Sequence, residues 1–329
     1  MNKIRSVNIR LTQKRLLICL IFLIVLNIGL FSEMTKYAGE PFQMGAGVRN
    51  FSMGRTGITD IHSPALVYWN SSLLLLQEQR SFELMHAEEY KGLLKYDTFS
   101  GSLGENNRVG FMFARIGIND IPVTKLTNPD EPIGPSNPPI IDRHVNNSDY
   151  ILYLGFARWI GKVPLGVTPK IVYRDLYGTS AFGFGADIST HLQANEYFTL
   201  GARIRDIIPT QIYWDNGTRE SVYPGVDLEL QIHTKMPVID KPLNLFINGE
   251  IHTESMIKTA KANAGIFSLD PHFGAELILH PMVSFFAGYD IENFTTGIGV
   301  SYNQFLLNYA FEQNTELDNS HRFSIGYRY

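Results

Sequence analysis

Cysteine is almost absent from this sequence: Cys19 is the only one in 329 residues. It lies near the start of an apolar run and reads as filler there, so the remainder has neither a disulfide nor a thiol nucleophile. Long apolar runs are equally scarce. Leu16–Phe31 is the one example, broken by Asn27 and Gly29, and it is short for a spanning helix. With a mean hydropathy of -0.06, a polytopic helical membrane protein is excluded. A β-barrel is not, because strands facing lipid on one side and water on the other average near zero.

Positive charge is also in short supply. Lys3, Arg5, Arg10, Lys14 and Arg15 precede the apolar run, and together they read as a secretory signal over residues 1–32, cleaved near Ser32. Taking those five from the 28 basic residues leaves 23 Lys and Arg against 32 Asp and Glu, a balance of -9 that argues against a nucleic-acid surface. Catalytic signatures are missing too. The nine histidines are scattered, with no HExxH and no metal-ligand spacing. Phosphate-binding loops are absent, and no Ser/His or Asp/His cluster is placed for catalysis. The expectation is a non-enzymatic protein with no cofactor and no metal.

What the sequence does have is alternation. Phe323, Ile325, Tyr327 and Tyr329 alternate with Arg322, Ser324, Gly326 and Arg328. Val226, Leu228, Leu230 and Ile232 alternate with Asp227, Glu229, Gln231 and His233. A period of two is the signal of a half-buried strand. It recurs over 81–90, 93–103, 107–117, 148–159, 163–174, 181–191, 196–205, 222–234, 243–253, 272–279, 282–289, 293–302, 304–312 and 320–329. Connections at alternate ends differ. Gly161–Lys162, Asn195, His280–Pro281 and Asn303 are tight, whereas Ile118–Asn147, Asp206–Ser221 and Glu254–Asp270 are long. Short turns on one rim and long loops on the other mark an outer-membrane barrel. One face carries aromatics and the other Gly, Ser, Arg and Asp, which suits a lipid-facing exterior around a polar lumen. The spacing therefore predicts an all-β chain: an antiparallel transmembrane β-barrel of about 14 strands over 81–329, multi-pass in the outer membrane of a Gram-negative-type bacterium, with outer-membrane lipid as its surroundings. Phe323, Ile325, Tyr327 and Tyr329 resemble the terminal membrane-insertion signal of such barrels.

Lys170, Arg174, Asp187, Arg203, Arg205, Asp227 and Glu229 fall on the polar faces of successive strands. Opposite charges on neighbouring strands can pair, so they read either as a structural lattice or as a polar conduction path. Ile118–Asn147 holds six of the 16 prolines. It reads as a surface loop, as a cover over the mouth, or as an extended docking edge.

Residues 33–80 do not alternate and are predicted to plug the barrel. Within them Gly45, Gly47, Arg49, Met53, Gly54, Gly57, Tyr68, Trp69 and Asn70 stand out. Glycine there suits close backbone packing inside a lumen, with Arg49 and Arg55 able to meet lumen acids. This pattern resembles the N-terminal signature of PorV/PorQ-type outer-membrane proteins, relatives of the FadL-like barrels. Arg115–Thr124 and Phe82–Glu88 support the likeness. Arg55 stands where that family carries a second glycine, and Ser71–Ser72 where it carries Pro-Ala. The resemblance implies a 14-stranded barrel with an N-terminal plug. It further implies a role in type IX-like protein secretion or surface attachment, with secretion-system components or cargo proteins as partners. The alternative it carries is a FadL-like channel that passes a hydrophobic ligand through the plug and a side opening.

Overall fold

The computed structural model describes residues 38–103, 108–253, 262–264, 267–314 and 318–329. The expected leader over 1–32, the start of the plug at 33–37, the Glu105–Asn106 turn and most of Glu254–Asp270 lie outside the described residues. β-Branched and aromatic residues alternating with small or polar ones suit a pleated strand with two unlike faces. Fourteen such strands form: β1 (Ser81–Glu89), β2 (Leu94–Leu103), β3 (Val109–Leu126), β4 (Pro139–Ile160), β5 (Val163–Leu176), β6 (Thr179–Gln193) and β7 (Phe198–Trp214), then β8 (Gly225–Met236), β9 (Lys241–His252), β10 (Phe267–His280), β11 (Val283–Asp290), β12 (Asn293–Tyr302), β13 (Phe305–Gln313) and β14 (Ser320–Arg328). Each pairs with the next, antiparallel throughout. β14 returns to β1 with Arg328 opposite Ser81, which closes the sheet into a barrel. Two three-residue strands, Arg219–Ser221 and Ala262–Ala264, add to β7 and β10 off this ring.

The exterior is apolar. Phe182, Phe184, Leu200, Leu228, Phe273 and Ile325 are each between 44% and 52% exposed. A continuous belt of this kind is a liability in water and the normal surface of a barrel in lipid. Phe323, Ile325, Tyr327 and Tyr329 all lie on that outer face. Tyr329 stacks on Tyr327 and Phe82, and its backbone pairs with Arg80.

The expected long loops take another form. Ile118–Asn147 is not one long loop. β3 runs on to Leu126 and β4 starts at Pro139, so the segment is a β-hairpin with Leu126 opposite Pro139. Pro122 is tolerated because β2 stops at the Leu94–Ile118 pair, which leaves this stretch of β3 as an edge strand. Asn137 ties the tip together: its Oδ1 accepts from the Asn128 amide (3.0 Å) and its Nδ2 donates to the carbonyls of Asn128 (2.8 Å) and Glu131 (3.0 Å). Asp206–Ser221 is likewise largely strand, because β7 continues to Trp214. The two sides of the wall therefore differ in height. β3 and β4 have 18 and 22 residues, whereas β11 and β14 have 8 and 9. The hairpin alone carries the wall about 25 Å further along the strands.

Because the hairpin beyond Ile118 makes no ladder with β2, removing its tip should spare the barrel. Replacing residues 127–138 with a two-residue Asn-Gly turn is expected to leave heat-modifiable gel migration in detergent unchanged. Loss of the faster-migrating folded band would show that the tip contributes to assembly.

Candidate functional site

The lumen is filled by the chain's own N-terminal segment, which runs from Ala38 to the start of β1. Its helices are only a turn or so long, α1 (Val48–Ser52) and α2 (Leu66–Trp69), with 3-10 turns at Glu40–Gln43 and Ser71–Leu75. Helices this short do not persist alone in water, so the barrel wall must hold them. Every residue of α1 is buried, and it packs against β11–β14, while α2 and the Ser71–Leu75 turn pack against β3–β6. The segment thus crosses the lumen from one wall to the other.

Arg49 is the central tie. Its Nη1 and Nη2 donate to both carboxylate oxygens of Glu276 on β10 (2.6 Å each), and its Nε donates to Asp60 Oδ2 (2.7 Å). Burial opposes the Arg49 cation, but the two carboxylates outweigh it and raise the guanidinium pKa above its ordinary value. Asn50 secures the same turn, donating to the Thr56 carbonyl (2.9 Å) and accepting from Ser63 Oγ (2.6 Å). Gly54 has a positive φ of 65° and faces the wall backbone: a Cβ there would lie 2.5 Å from the Phe273 carbonyl oxygen and 2.6 Å from the Tyr289 nitrogen. Its amide donates to Thr295 Oγ1 (2.9 Å). Met53 packs on Phe246 and Phe286. Gly45 and Gly47 also have positive φ. Tyr96 Oη donates to the Gly45 carbonyl (2.7 Å) and Trp69 Nε1 to the Ala46 carbonyl (2.8 Å). Gly57 lies against Trp69, with no room for a side chain. Tyr68 Oη donates to the Phe42 carbonyl (2.9 Å). Asn70 donates to the Ile58 and Thr190 carbonyls (2.8 and 3.0 Å).

The wall charges singled out in the sequence divide into three groups. Glu229 holds the segment itself, accepting from the amides of Gly57 (2.9 Å) and Thr59 (2.8 Å) and from Thr59 Oγ1 (2.6 Å). Lys170 bridges Asp187 (3.0 Å) and Asp206 (2.8 Å), while Arg174 pairs with Asp149 (2.9 Å). The rest form a chain across five strands. Arg203 and Arg205 reach Asp227 (2.6 and 3.3 Å), and Arg205 continues to Glu250. Glu250 meets His272 (3.4 Å), His272 meets Asp290 (2.9 Å), and Asp290 meets Arg55 of the inner segment (3.6 Å). Arg203 Nη1 also donates to the Tyr68 carbonyl (2.6 Å).

Sequence reading missed the partners Glu276, Glu250, His272, Asp290, Asp149 and Asp206. The available signal was strand parity: Glu276 and His272 share a face with Gly274, and all three face inward.

On the opposite wall an apolar row lies between the Lys170 and Arg174 ion pairs. Cross-strand partners place Ala114, Ile151, Val172, Gly183 and Ile212 in one inward-facing row over β3–β7. Tyr96 and Ile116 lie above that row and Met112 and Tyr153 below it, and the non-glycine members are buried. Arg174 covers the Trp214 ring at the outer end (5.5 Å), and Lys170 covers the Phe42 ring further in (5.1 Å). This lane lies on the strands that form the tall side of the wall. At the other rim a vestibule of about 720 Å³ opens beneath Thr59 and His62, lined by polar residues that include Gln231, His233 and Asn244. Among the described residues no cluster of His, Cys, Asp and Glu could hold a metal ion.

No family model and no curated protein matches the sequence. Solved structures do match. The toluene transporter TbuX of Ralstonia pickettii aligns at a TM-score of 0.50 and 13% identity, over 86% of this chain and 98% of TbuX. A deltaS2S3 mutant of the monoaromatic hydrocarbon channel TodX aligns at 0.50 and 11%, over 86% and 98%. At this identity the likeness is one of fold. A closed 14-strand ring with an apolar exterior, a polar and filled interior and this fold is a multi-pass outer-membrane β-barrel.

Two substitutions test the lumen ties. Arg49→Leu strands Glu276 and Asp60 without their cation and is expected to cost about 3–5 kcal/mol, read as a lower urea midpoint for the detergent-folded protein. Arg203→Glu is expected to lower folded yield while the assembled fraction keeps its small-ion conductance. Altered conductance at normal yield would instead make these charges a conduction path.

Proposed function

We propose that this chain is a non-enzymatic channel of FadL-like type that passes hydrophobic small molecules across the outer membrane, with residues 33–80 acting as its plug. The observation that carries this reading is the division of the lumen. An apolar row runs over β3–β7 between the Lys170 and Arg174 ion pairs, the longer ion-pair chain occupies β7–β11, and the plug lies across both. A charge lattice alone gives a hydrophobic solute nowhere to go, since burying such a solute among paired ions separates charges from their partners. The row from Ala114 to Ile212 offers a path from the tall outer wall down to the plug. Support also comes from the shared fold of TbuX, a toluene transporter, and TodX, a monoaromatic hydrocarbon channel.

The way out of the lane is proposed to pass through the wall. Between Tyr153–Lys170 and Phe156–Val167 the β4–β5 ladder skips a step, where Pro169 has no N–H to give. Ser71 of the plug backs this gap, its Oγ 2.6 Å from Thr168 Oγ1. A small displacement of the Ser71–Leu75 turn would open the lane toward lipid.

The plug motif does not by itself favour protein secretion. Arg49, Gly54, Gly57, Trp69 and Asn70 are each used by packing or hydrogen bonds inside the lumen. The PorV/PorQ-like signature is thus accounted for by plug geometry, which a channel and a secretion component can share.

Uptake of labelled toluene by cells expressing the protein tests the proposal. Ile151→Asn and Val172→Asn each place an amide in the lane and are expected to slow uptake by about ten-fold at unchanged folded yield. Uptake no greater than in cells lacking the protein, together with co-purifying secretion-motor components, would overturn it in favour of secretion.

A further inference from the structure

A band of buried polar groups runs along the lower edge of the lane. Cross-strand pairing sets Tyr153, Met112, Ser100 and Glu83 side by side on β4, β3, β2 and β1. Thr98 stands one row above, opposite Ala114 of the lane, and Ser81 shares the inward face two residues from Glu83. Each of the five polar residues is 3% exposed or less. Tyr153 Oη, Ser100 Oγ, Thr98 Oγ1, Ser81 Oγ and Glu83 Oε1 nevertheless make no hydrogen bond among the described residues. The other Glu83 oxygen, Oε2, accepts from Ser324 Oγ (2.9 Å) and Asn308 Nδ2 (3.4 Å).

Hydroxyls elsewhere on the inner wall do find partners: Thr168 meets Ser71, Thr295 donates to the Ser52 carbonyl, and Ser324 donates to Glu83. A wall that served packing alone would do better with apolar side chains at positions 98, 100 and 153. Each unpartnered buried hydroxyl costs free energy that an apolar replacement of similar shape avoids. The plug covers the band from within. The Tyr68 ring packs edge-on to Tyr153 (5.6 Å), and a Cβ on Gly47 would lie 3.5 Å from Glu83 Oε1. A solute coming down the lane meets the band where Ile151 gives way to Tyr153, the next inward residue of β4.

We infer that the lane is matched to hydrophobic molecules carrying one uncharged hydroxyl, a phenol or an alkanol, with the hydrocarbon part on Ala114 and Ile151 and the hydroxyl in the band. This rests on the channel reading above and narrows its substrate class. A ligand hydroxyl both donates and accepts, as do Tyr153, Ser100 and Thr98, so one such group can satisfy two of them at once. An anion fits poorly. Lys170, the cation opposite Tyr153 on β5, is already held by Asp187 (3.0 Å) and Asp206 (2.8 Å), and the band itself contributes a carboxyl, that of Glu83. A cation would have to give up its hydration to cross the aliphatic row from Ala114 to Ile212. A neutral hydroxyl crosses that row at far lower cost and finds partners at its end.

Competition against labelled toluene uptake in cells expressing the protein tests the match, with toluene, p-cresol and 4-methylbenzoate as the unlabelled competitors. p-Cresol is uncharged at neutral pH and is expected to halve uptake at about a tenth of the toluene concentration that does so, the worth of one added hydrogen bond. At that concentration 4-methylbenzoate should have no effect. In the double variant Tyr153→Phe, Ser100→Ala, p-cresol and toluene should compete at equal concentrations. Its urea midpoint in detergent is expected to be no lower than that of the parent protein, because the atoms removed have no partners. A lower midpoint would mean that these hydroxyls are already satisfied, and the inference would fall. It would fall equally if p-cresol had no advantage over toluene, if the advantage survived the double substitution, or if 4-methylbenzoate competed as well as p-cresol. Absence of any protein-dependent toluene uptake would instead remove the channel reading, and this inference with it.

Discussion

A ring of fourteen strands encloses more space than its own inward side chains can fill; eight strands are about the limit for that. The space cannot simply be left to loosely held polar groups, since each buried donor or charge without a partner costs free energy. This chain meets the constraint with a segment that has almost no stability of its own. Arg49, bound at both ends to carboxylates, turns a five-residue helix into part of the wall. Glu229 does the reverse, reaching from the wall to two amides of the segment. The lattice of β7–β11 and the close glycine contacts exist because these two attachments set where the segment lies.

Much of this was legible in the sequence, and the reason is periodicity. A strand with lipid outside and water or protein inside writes its two faces into alternate residues, so β6, β8 and β14 could be placed to within a few positions. The same parity put Lys170, Arg203, Asp227 and Glu229 inside. Partners were harder to see, because pairing depends on register between strands and register leaves no local mark. Glu276 is 227 residues from Arg49 in the chain, and nothing near either residue points to the other. The tall hairpin was misread for a different reason. Six prolines in a short stretch suggest a loop, and four of them, Pro129, Pro132, Pro135 and Pro138, do lie in the tip; Pro122 is compatible with a strand that has one free edge, and the absence of a β2 partner there is a tertiary fact.

The two sides of the lumen differ in how they are tied. On β7–β11 the ion pairs run continuously from strand to strand, so moving any one charge unpairs its neighbours. On β3–β7 the Lys170 and Arg174 pairs stand apart, with a row of aliphatic contacts between them that can repack at lower cost. Arg49 and Glu229 fix the segment on the first side, while the Ser71–Leu75 turn packs on the second.

The contact of Gly54 with the backbones of β10 and β11 also bears on how the molecule is made. The segment that carries Gly54 leads β1 in the chain, yet it rests on strands that follow it by more than two hundred residues. The seam between β1 and β14 is the most distant pairing of all, and distant pairings form slowly because their loop-closure entropy must be overcome first. Once that seam zips, a wall of continuous hydrogen bonds surrounds the lumen. The earliest-made part of the barrel chain therefore cannot reach its final position until β10 and β11, made long after it, are there to receive it.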